Sequence, residues 1–569
     1  MIPRVYSKSL CSWPQPMQNL RSSNAKIAFL SLLLFISVLI ITGRFFYIQL
    51  IGKEGYVEKV AEKFPKASVV KLSTPRGYIK DRKGNDLAIS IPTLSIYAFP
   101  QLVENKEELI RRLSAIPEIR ERELSEKLNS DKKFVWLARH LDKGYAPYIR
   151  GVIKDTNNTK AVGLQEEYKR LYPHGSLAAN LLGFVGADGE GLEGVEYMLN
   201  KDLKGKDIKA VFYLGKLAIG PLPEDMETKE IKLTIDLGVQ TILEDIRDKI
   251  VKQWKPDRVG ILVMDAKSGE ILGLSNYPTY DPNNYQKYNP SYRRNFVVTD
   301  LFEPGSAMKP FFIGQALQKG YVKPGMRIDT EGGRIEVFGR YVKDVKPSGT
   351  LTLEKVLIKS SNVGTIKVAR YLSKRDVEEI LDKIHMNEKF NILPGEVKPK
   401  LPNFSYPANI LYASIGQGMA SNLLNLCVSF NALATNRIVK PKIILEEESQ
   451  VLRENIFSQP VFKWLQDNLR KVVEEGTAST ARSDYFTIAG KTGTSQKFDF
   501  SIGRYSREKV VTYFIGYFPA TNPQFVAGIM VDNPRGPNPY GGTVSAPYFK
   551  ELVERVAFYY RLEPDKLSK

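Results

Sequence analysis

Cysteine is almost absent from this chain of 569 residues: Cys11 and Cys427 are the only two. On the topology argued below they fall on opposite sides of a membrane, so no disulfide is expected. Histidine is nearly as scarce. His140, His174 and His385 stand far apart and match no metal-ligand spacing, which argues against a zinc site and against a Ser-His-Asp triad. A serine enzyme built from this sequence needs lysine as its base, and neither a metal nor a cofactor is expected. No Gly-x-x-x-x-Gly-Lys-Ser/Thr pattern is present, which removes a nucleotide-binding P-loop. The chain also lacks a long Lys/Arg run, a basic stripe interleaved with aromatics, an internal repeat and a low-complexity tract, so nucleic acid is not an expected partner. The first 26 residues contain no acid, although they hold Arg4, Lys8, Arg21 and Lys26.

That acid-free flank precedes an uncharged, mostly apolar run over residues 27–43, which reaches residue 50 when Arg44 snorkels, a length that suits a bilayer span. Basic flanks stay in the cytoplasm. The sequence therefore predicts a cytoplasmic tail over 1–26, a single-pass transmembrane anchor over 27–50, and everything beyond it outside. A cleaved signal peptide is the competing reading, but no small-residue cleavage site supports it and helical pattern continues through residues 47–64. Single cores stop growing at roughly 250–300 residues, so two or more domains are expected. Composition is that of a globular protein, 43% hydrophobic and 25% charged. The net charge of +19 is spread out, with +5 in residues 1–50, +4 in 51–235 and +10 beyond, and reads as solvated faces near anionic lipid or cell-wall polymer.

Past the anchor, residues 76–88 (Arg76-Gly77-Tyr78-Ile79-Lys80-Asp81-Arg82-Lys83-Gly84-Asn85-Asp86-Leu87-Ala88) predict a β-hairpin turning at Lys83-Gly84-Asn85. Charged helices are expected over about 104–130. The stretches Tyr172-Pro173-His174-Gly175, Gly183-Phe184-Val185-Gly186 and Gly191-Leu192-Glu193-Gly194-Val195-Glu196 predict structural turns leading into a helix. Five β-rich runs follow, at 259–265, 270–275, 486–490, 510–518 and 525–531, the first two forming a hairpin about Ala266-Lys267-Ser268-Gly269. An amphipathic helix is expected at about 548–560. Between these ends, residues 300–480 carry mainly helical pattern.

The chemistry is concentrated in three places. In Glu303-Pro304-Gly305-Ser306-Ala307-Met308-Lys309-Pro310 the Ser and Lys stand three apart and share a face if the backbone is helical. Pro304 and Gly305 mark a turn and Pro310 cannot lie deep in a helix, so the helix should begin close to Ser306, beside free backbone N–H groups that favour a developing oxyanion. Met308, Phe311 and Phe312 would desolvate Lys309 and disfavour its ammonium, and a nearby Lys491 would lower its pKa further. Downstream come Ser360-Ser361-Asn362 and then Ala489-Gly490-Lys491-Thr492-Gly493-Thr494. The alternating run before Lys491 leads straight into it, which predicts an edge strand whose glycines let a ligand backbone approach. Lys491, among Thr and Gly, is expected to stay charged.

In this order and rough spacing the three motifs resemble those of the penicillin-recognising serine enzymes, Ser-x-x-Lys, Ser-x-Asn and Lys-Thr-Gly. With residues 76–88 and 183–196, which resemble the family's pedestal motifs, the chain is similar to the class B penicillin-binding proteins, and most of all to the cell-division (FtsI-type) D,D-transpeptidases that cross-link septal peptidoglycan. The resemblance implies an α/β protein: an anchor helix, an elongated α+β pedestal over 51–235, and a β-lactamase-like transpeptidase domain over 236–569 with a five-stranded antiparallel sheet and an all-helical subdomain. It implies Ser306 as nucleophile, Lys309 as base, Ser360 as proton relay and Asn362 holding the substrate backbone. Lys491, Thr492, Gly493 and Thr494 would bind the substrate, whose terminal carboxylate meets the cation and hydroxyls. The implied partners are D-Ala-D-Ala stem peptides, β-lactams bonded covalently to Ser306, and, since no stretch resembles a glycosyltransferase, an FtsW-type membrane polymerase with other divisome proteins. The implied location is the bacterial inner membrane at the division site, catalytic domain outside. Ser414-Ile415-Gly416-Gln417-Gly418 departs from the family by lacking aromatics between its glycines. An elongation-type transpeptidase, a membrane-anchored β-lactamase, and a catalytically silent penicillin-binding scaffold or sensor are the rival readings.

Overall fold

The computed structural model describes residues 19–47, 67–213, 216–219, 228–499 and 504–566. Helix α1 (Asn19–Phe46) contains a 21-residue stretch, Lys26–Phe46, of mean hydropathy 2.3, long and apolar enough to cross a membrane. The hydroxyls of Ser37 and Thr42 fold back to donate to the carbonyls of Leu33 and Val38, each at 2.8 Å, so these two hydroxyls are satisfied within the helix. The expected continuation to residue 64 and Cys11 lie outside the described residues.

Two compact units follow from the contacts, residues 1–74 with 206–227, and 75–205 with 228–569. In the first, strands Ala67–Ser73, Asp207–Tyr213 and Lys216–Ile219 form an antiparallel sheet. In the second, the hairpin expected at 76–88 is present: Tyr78–Lys80 pairs antiparallel with Asp86–Ala98. Asp81 holds its turn, the carboxylate accepting from Lys83 N, Asn85 N and Leu237 N at 2.8, 2.8 and 3.1 Å. Strand Asp86–Ala98 continues between Val135–Leu141 and Val162–Leu171. The charged segment expected to be helical forms Lys106–Leu113 and Glu121–Leu128, whose leucines face the core.

The glycine-rich stretch is architecture. Gly183 and Gly194 both have positive φ, and a Cβ on Gly183 would lie 1.8 Å from the carbonyl oxygen of Glu193, so the two chains touch backbone to backbone. Beside them Glu196, fully buried, takes Arg76 Nε at 2.6 Å and Arg170 Nε at 2.7 Å.

The elements that place the site are, in chain order, helix α2 (Leu237–Trp254), strands β1 (Arg258–Asp265) and β2 (Ile271–Tyr277), a 3₁₀ turn Gly305–Met308 running into α3 (Lys309–Gln318), α4 (Asn362–Ala369), α5 (Leu423–Thr435), strands β3 (Ala489–Asp499), β4 (Arg504–Phe518) and β5 (Phe525–Asp532), and α6 (Ala546–Tyr559). The five strands form one antiparallel sheet in the order β2-β1-β5-β4-β3. Strand β5 is buried along its whole length, as its apolar run over 525–531 requires, and its last residue, Asp532, pairs with Lys497. Its Phe525, Ala527, Ile529 and Val531 pack with Leu243 and Ile246 of α2 and Phe549 and Val553 of α6, while Val526 and Met530 face α5 on the other side. Cys427 belongs to that contact: a Cβ on Gly528 would meet its sulfur at 2.8 Å, so α5 lies close on the sheet.

Two expectations change. The run at 486–490 is only partly strand, because Phe486 and Ile488 sink into the α2/α6 core and pairing begins at Ala489. The segment 300–480 is helical but also carries three two-stranded pairings, Arg327–Asp329 with Thr350–Thr352, Arg334–Val337 with Arg340–Lys343, and Arg437–Val439 with Val451–Glu454. Strands of three or four residues are too short to show periodicity.

Candidate active site

Ser306 sits on the 3₁₀ turn, not in the α-helix itself, which starts at Lys309 with Pro310 in its first turn. The residues leading to it are held from both sides. Phe302 and Ser421 exchange N–H···O bonds at 2.9 Å, and Gly305 N donates to Gly416 O at 3.1 Å. Any side chain on Gly416 would come within 2.1 Å of the Gly305 backbone, so that glycine of the 414–418 segment has a steric reason here. Gly418 N donates to the Glu303 carboxylate at 2.9 Å, and burial pushes that carboxyl above its ordinary range.

Ser360 lies between helix Leu353–Ile358 and α4, with φ of +58°. That left-handed conformation costs a residue other than glycine about 1–2 kcal/mol. Ser361 caps α4, accepting from Gly364 N at 2.9 Å, and donates to Asp344 Oδ2 at 2.7 Å, while Asp344 Oδ1 accepts from Val363 N at 3.0 Å. Asn362 Nδ2 donates to Lys343 O at 2.8 Å, which turns its Oδ1 toward Lys309. Residues 343–344, at the end of the Arg334–Lys343 hairpin, thus orient the second motif. Asp344 was not legible in the sequence.

The hydroxyl of Ser360 is the centre. It lies 3.2 Å from Ser306 Oγ, 3.1 Å from Lys309 Nζ and 2.8 Å from Lys491 Nζ. Lys309 Nζ also donates to Ser360 O at 2.6 Å and Asn362 Oδ1 at 2.7 Å. Five of the eight residues singled out from sequence therefore converge, although they come from positions as far apart as 306 and 491. The connection from Lys309 to Ser306 runs through Ser360.

Both lysines are fully buried. Burial holds Lys309 well below the ordinary amine range; the neighbouring Lys491 pushes the same way and Asp344 opposes them. Burial also lowers Lys491, to about 7. The expectation that Lys491 stays charged did not include this burial: strand β3 is covered where Ser360 meets it, which disfavours the ammonium.

The rest of the third motif has other contacts. Thr492 Oγ1 lies 3.3 Å from Thr477 Oγ1 and is buried, and Thr494 Oγ1 accepts from Gly541 N at 3.0 Å. Strand β3 is the edge of the sheet, as expected for a surface that can take an added peptide strand. The cavity of about 410 Å³ lined by Val337, Phe338, Arg370, Ile410 and Leu411 contains none of these residues. Among the described residues no group of His, Cys, Asp and Glu could hold a metal.

Chemically the arrangement is a serine at a turn N-terminus with a buried, deprotonation-prone amine within one hydroxyl of it, which is the equipment of acyl transfer through serine. Comparison supplies the family. The penicillin binding protein transpeptidase domain matches residues 259–554, and the penicillin-binding protein dimerisation domain matches residues 71–216. The chain belongs to the penicillin-binding protein family, as a class B member carrying that transpeptidase domain. Similar relatives include the peptidoglycan D,D-transpeptidase FtsI of Buchnera aphidicola, 31% identical with 96% of this chain and 97% of that protein covered. FtsI of Escherichia coli is 30% identical, covering 94% and 92%, and the probable peptidoglycan D,D-transpeptidase PenA of Neisseria gonorrhoeae is 29% identical, covering 97% and 96%. Among solved structures, penicillin binding protein 2X of Streptococcus thermophilus superposes with a TM-score of 0.71 at 21% identity, covering 87% of this chain and 80% of that one. Penicillin binding protein 3 of Mycobacterium tuberculosis, complexed with aztreonam, gives 0.64 at 24% identity, covering 87% and 98%; at these identities both speak for the fold.

Proposed function

We propose that this protein cross-links the stem peptides of peptidoglycan through an acyl-enzyme on Ser306, with residues 51–235 as its pedestal and 236–569 as its transpeptidase domain. The observation that carries the reading is the Ser360 hydroxyl shared by Ser306, Lys309 and Lys491. A neutral Lys309 has two N–H donors and one lone pair. Its two shortest contacts are to acceptors, Ser360 O and Asn362 Oδ1, so the lone pair is left for the Ser360 hydroxyl proton. Ser360 Oγ can then accept from Ser306, and the Ser306 proton passes through Ser360 to Lys309.

Ser306 Oγ attacks the carbonyl joining the two terminal D-alanines. The oxyanion is held by the N–H groups of Ser306 and Thr494. The C–N bond breaks, the departing D-alanine takes the proton back through Ser360, and an acyl ester remains. The amino group of a neighbouring stem attacks the ester, loses a proton along the same path, and frees Ser306. Asn362 holds the substrate backbone, and the space a side chain on Gly493 would need is taken by the Tyr513 ring. Lys491 and Thr494 take the terminal carboxylate, with Thr492 acting behind them through its contact with Thr477. β-Lactams present the same carbonyl and stop at the ester.

The test is covalent labelling with a fluorescent penicillin. The full chain should label and Ser306→Ala should not; labelling of the Ala variant would remove Ser306 from the mechanism.

The septal assignment is the finer part, supported by the likeness of residues 172–196 and 302–310 to division enzymes and by the FtsI relatives. The anchor would then be single-pass, with the catalytic domain outside the inner membrane, working beside an FtsW-type polymerase and other divisome proteins. One strain checks both points: a reporter fused after residue 60 should be active only outside the cytoplasm, and depletion should give filaments with blocked septa. Cytoplasmic activity, or rounded cells, would count against them.

A further inference from the structure

Gly305 and Gly493 face the same phenol. A Cβ on Gly493 would lie 1.8 Å from the ring end of Tyr513, and one on Gly305 would lie 2.7 Å from its oxygen and 3.1 Å from Ser495 Oγ. Tyr513 stands on β4 opposite Gly493 in the register, so its side chain crosses the edge strand where that residue has no side chain of its own. There its hydroxyl donates to Pro304 O. Two residues further along β3, Ser495 Oγ donates to Glu303 O at 2.5 Å. Tyr513 is fully buried, Ser495 is 7% exposed, and the Phe302 ring packs 5.6 Å from the phenol.

We propose that Tyr513 and Ser495 are positioning residues that clamp the Ser306 turn to the β3 edge, fixing the spacing between the Ser306 and Thr494 N–H donors. The inference rests on the acyl-serine reading above. The clamp flanks Thr494, with Tyr513 reaching from β4 across Gly493 and Ser495 reaching from β3 itself, and it grips the carbonyls of Pro304 and Glu303 just before the turn. Pro304 O already accepts from Ala307 N at 3.1 Å, so removing the phenol hydroxyl leaves no orphaned carbonyl and should cost little stability. What it removes is registration between two walls of the site, and misplacing preorganised groups by about 1 Å costs on the order of 100-fold in rate.

Tyr513→Phe and Ser495→Ala in the full chain, assayed with a thioester ending in a D-alanyl residue, test the clamp. Each should lower kcat by about 10- to 100-fold, with KM within about twofold, an unchanged pH profile and an unchanged melting temperature. The double variant should lose less than the product of the two single losses, since both bonds hold one turn. Wild-type kcat in both variants, a loss confined to KM, or a loss tracking a lowered melting temperature would overturn the proposal. Ser306→Ala separates the underlying reading: if that variant still forms the acyl-enzyme, the reading fails whatever the clamp variants do.

Discussion

Arginine in place of Lys309 is expected to lower the rate of penicillin acylation by about 10²–10⁴-fold, the usual contribution of a positioned base, while the protein remains folded. The reason is the state of the amine. Lys309 is fully buried, and burial, helped by Lys491 on the adjacent strand, holds its pKa well below the usual value, with Asp344 pulling the other way. A neutral amine can receive the Ser306 proton; a guanidinium, whose pKa exceeds about 12, cannot. Lys491→Arg should act differently, weakening capture of the substrate carboxylate more than the chemical step. The pH dependence follows in sign. Lys309 works as a base above its depressed pKa, so acylation falls as pH drops through that value. Below about 7 Lys491 is charged and resists protonation of Lys309. Lys491→Met removes that resistance, so the acid limb should move to higher pH. Near wild-type acylation by Lys309→Arg, with loss in Lys491→Arg, would falsify the assignment.

The parts of the site that were legible are those whose chemistry is local in sequence. Ser306 and Lys309 are three residues apart, Ser360 and Asn362 two, and Lys491 to Thr494 consecutive, so each motif could be recognised before the fold was known. What joins them was not legible. Tyr513 is one tyrosine among 29, and only the pairing of β3 with β4 places it under Gly493. Asp344 acts through Ser361, seventeen residues on, after an intervening helix. The burial of Lys491 depends on Ser360 arriving from 131 residues away, which no reading of the Thr- and Gly-rich strand supplies. The same holds for the fold. Long apolar runs such as 525–531 announced the central strand, whereas Phe486 and Ile488 looked like strand and were drawn into the core between α2 and α6. The 3₁₀ turn at Ser306 reflects tethers to residues 416, 421, 495 and 513, all distant.

Glu196→Ala is expected to destabilise the region matching the dimerisation domain by about 3–5 kcal/mol while leaving the chemistry at Ser306 intact in molecules that stay folded. Glu196 is fully buried between Arg76 and Arg170, 7% and 5% exposed, and also accepts from Tyr172 at 3.2 Å. Arg76 in addition donates to Glu196 O at 2.8 Å and Asn200 Oδ1 at 2.7 Å, and Arg170 donates to Gly77 O at 2.6 Å. Removing one carboxylate therefore strands two guanidinium groups away from water, and the loss is the cost of that uncompensated charge rather than the worth of a salt bridge. The close approaches of Gly183 and Gly194 hold the flanking segments backbone to backbone. Because opening in this region is a local event, hydrogen exchange is the measurement. Amides in 189–203 should exchange about two to four orders of magnitude faster, the factor that corresponds to 3–5 kcal/mol at about 1.4 kcal/mol per decade. Arg76→Lys should show much of the same effect, since an ammonium cannot reach the carboxylate, the Glu196 carbonyl and Asn200 together. Unchanged exchange in Glu196→Ala would mean that the glycine packing, and not the charge network, holds these segments. Penicillin acylation measured on the same sample keeps the two halves apart: a rate constant that fell with Glu196 while exchange near Ser306 stayed slow would show that this network reaches the catalytic turn.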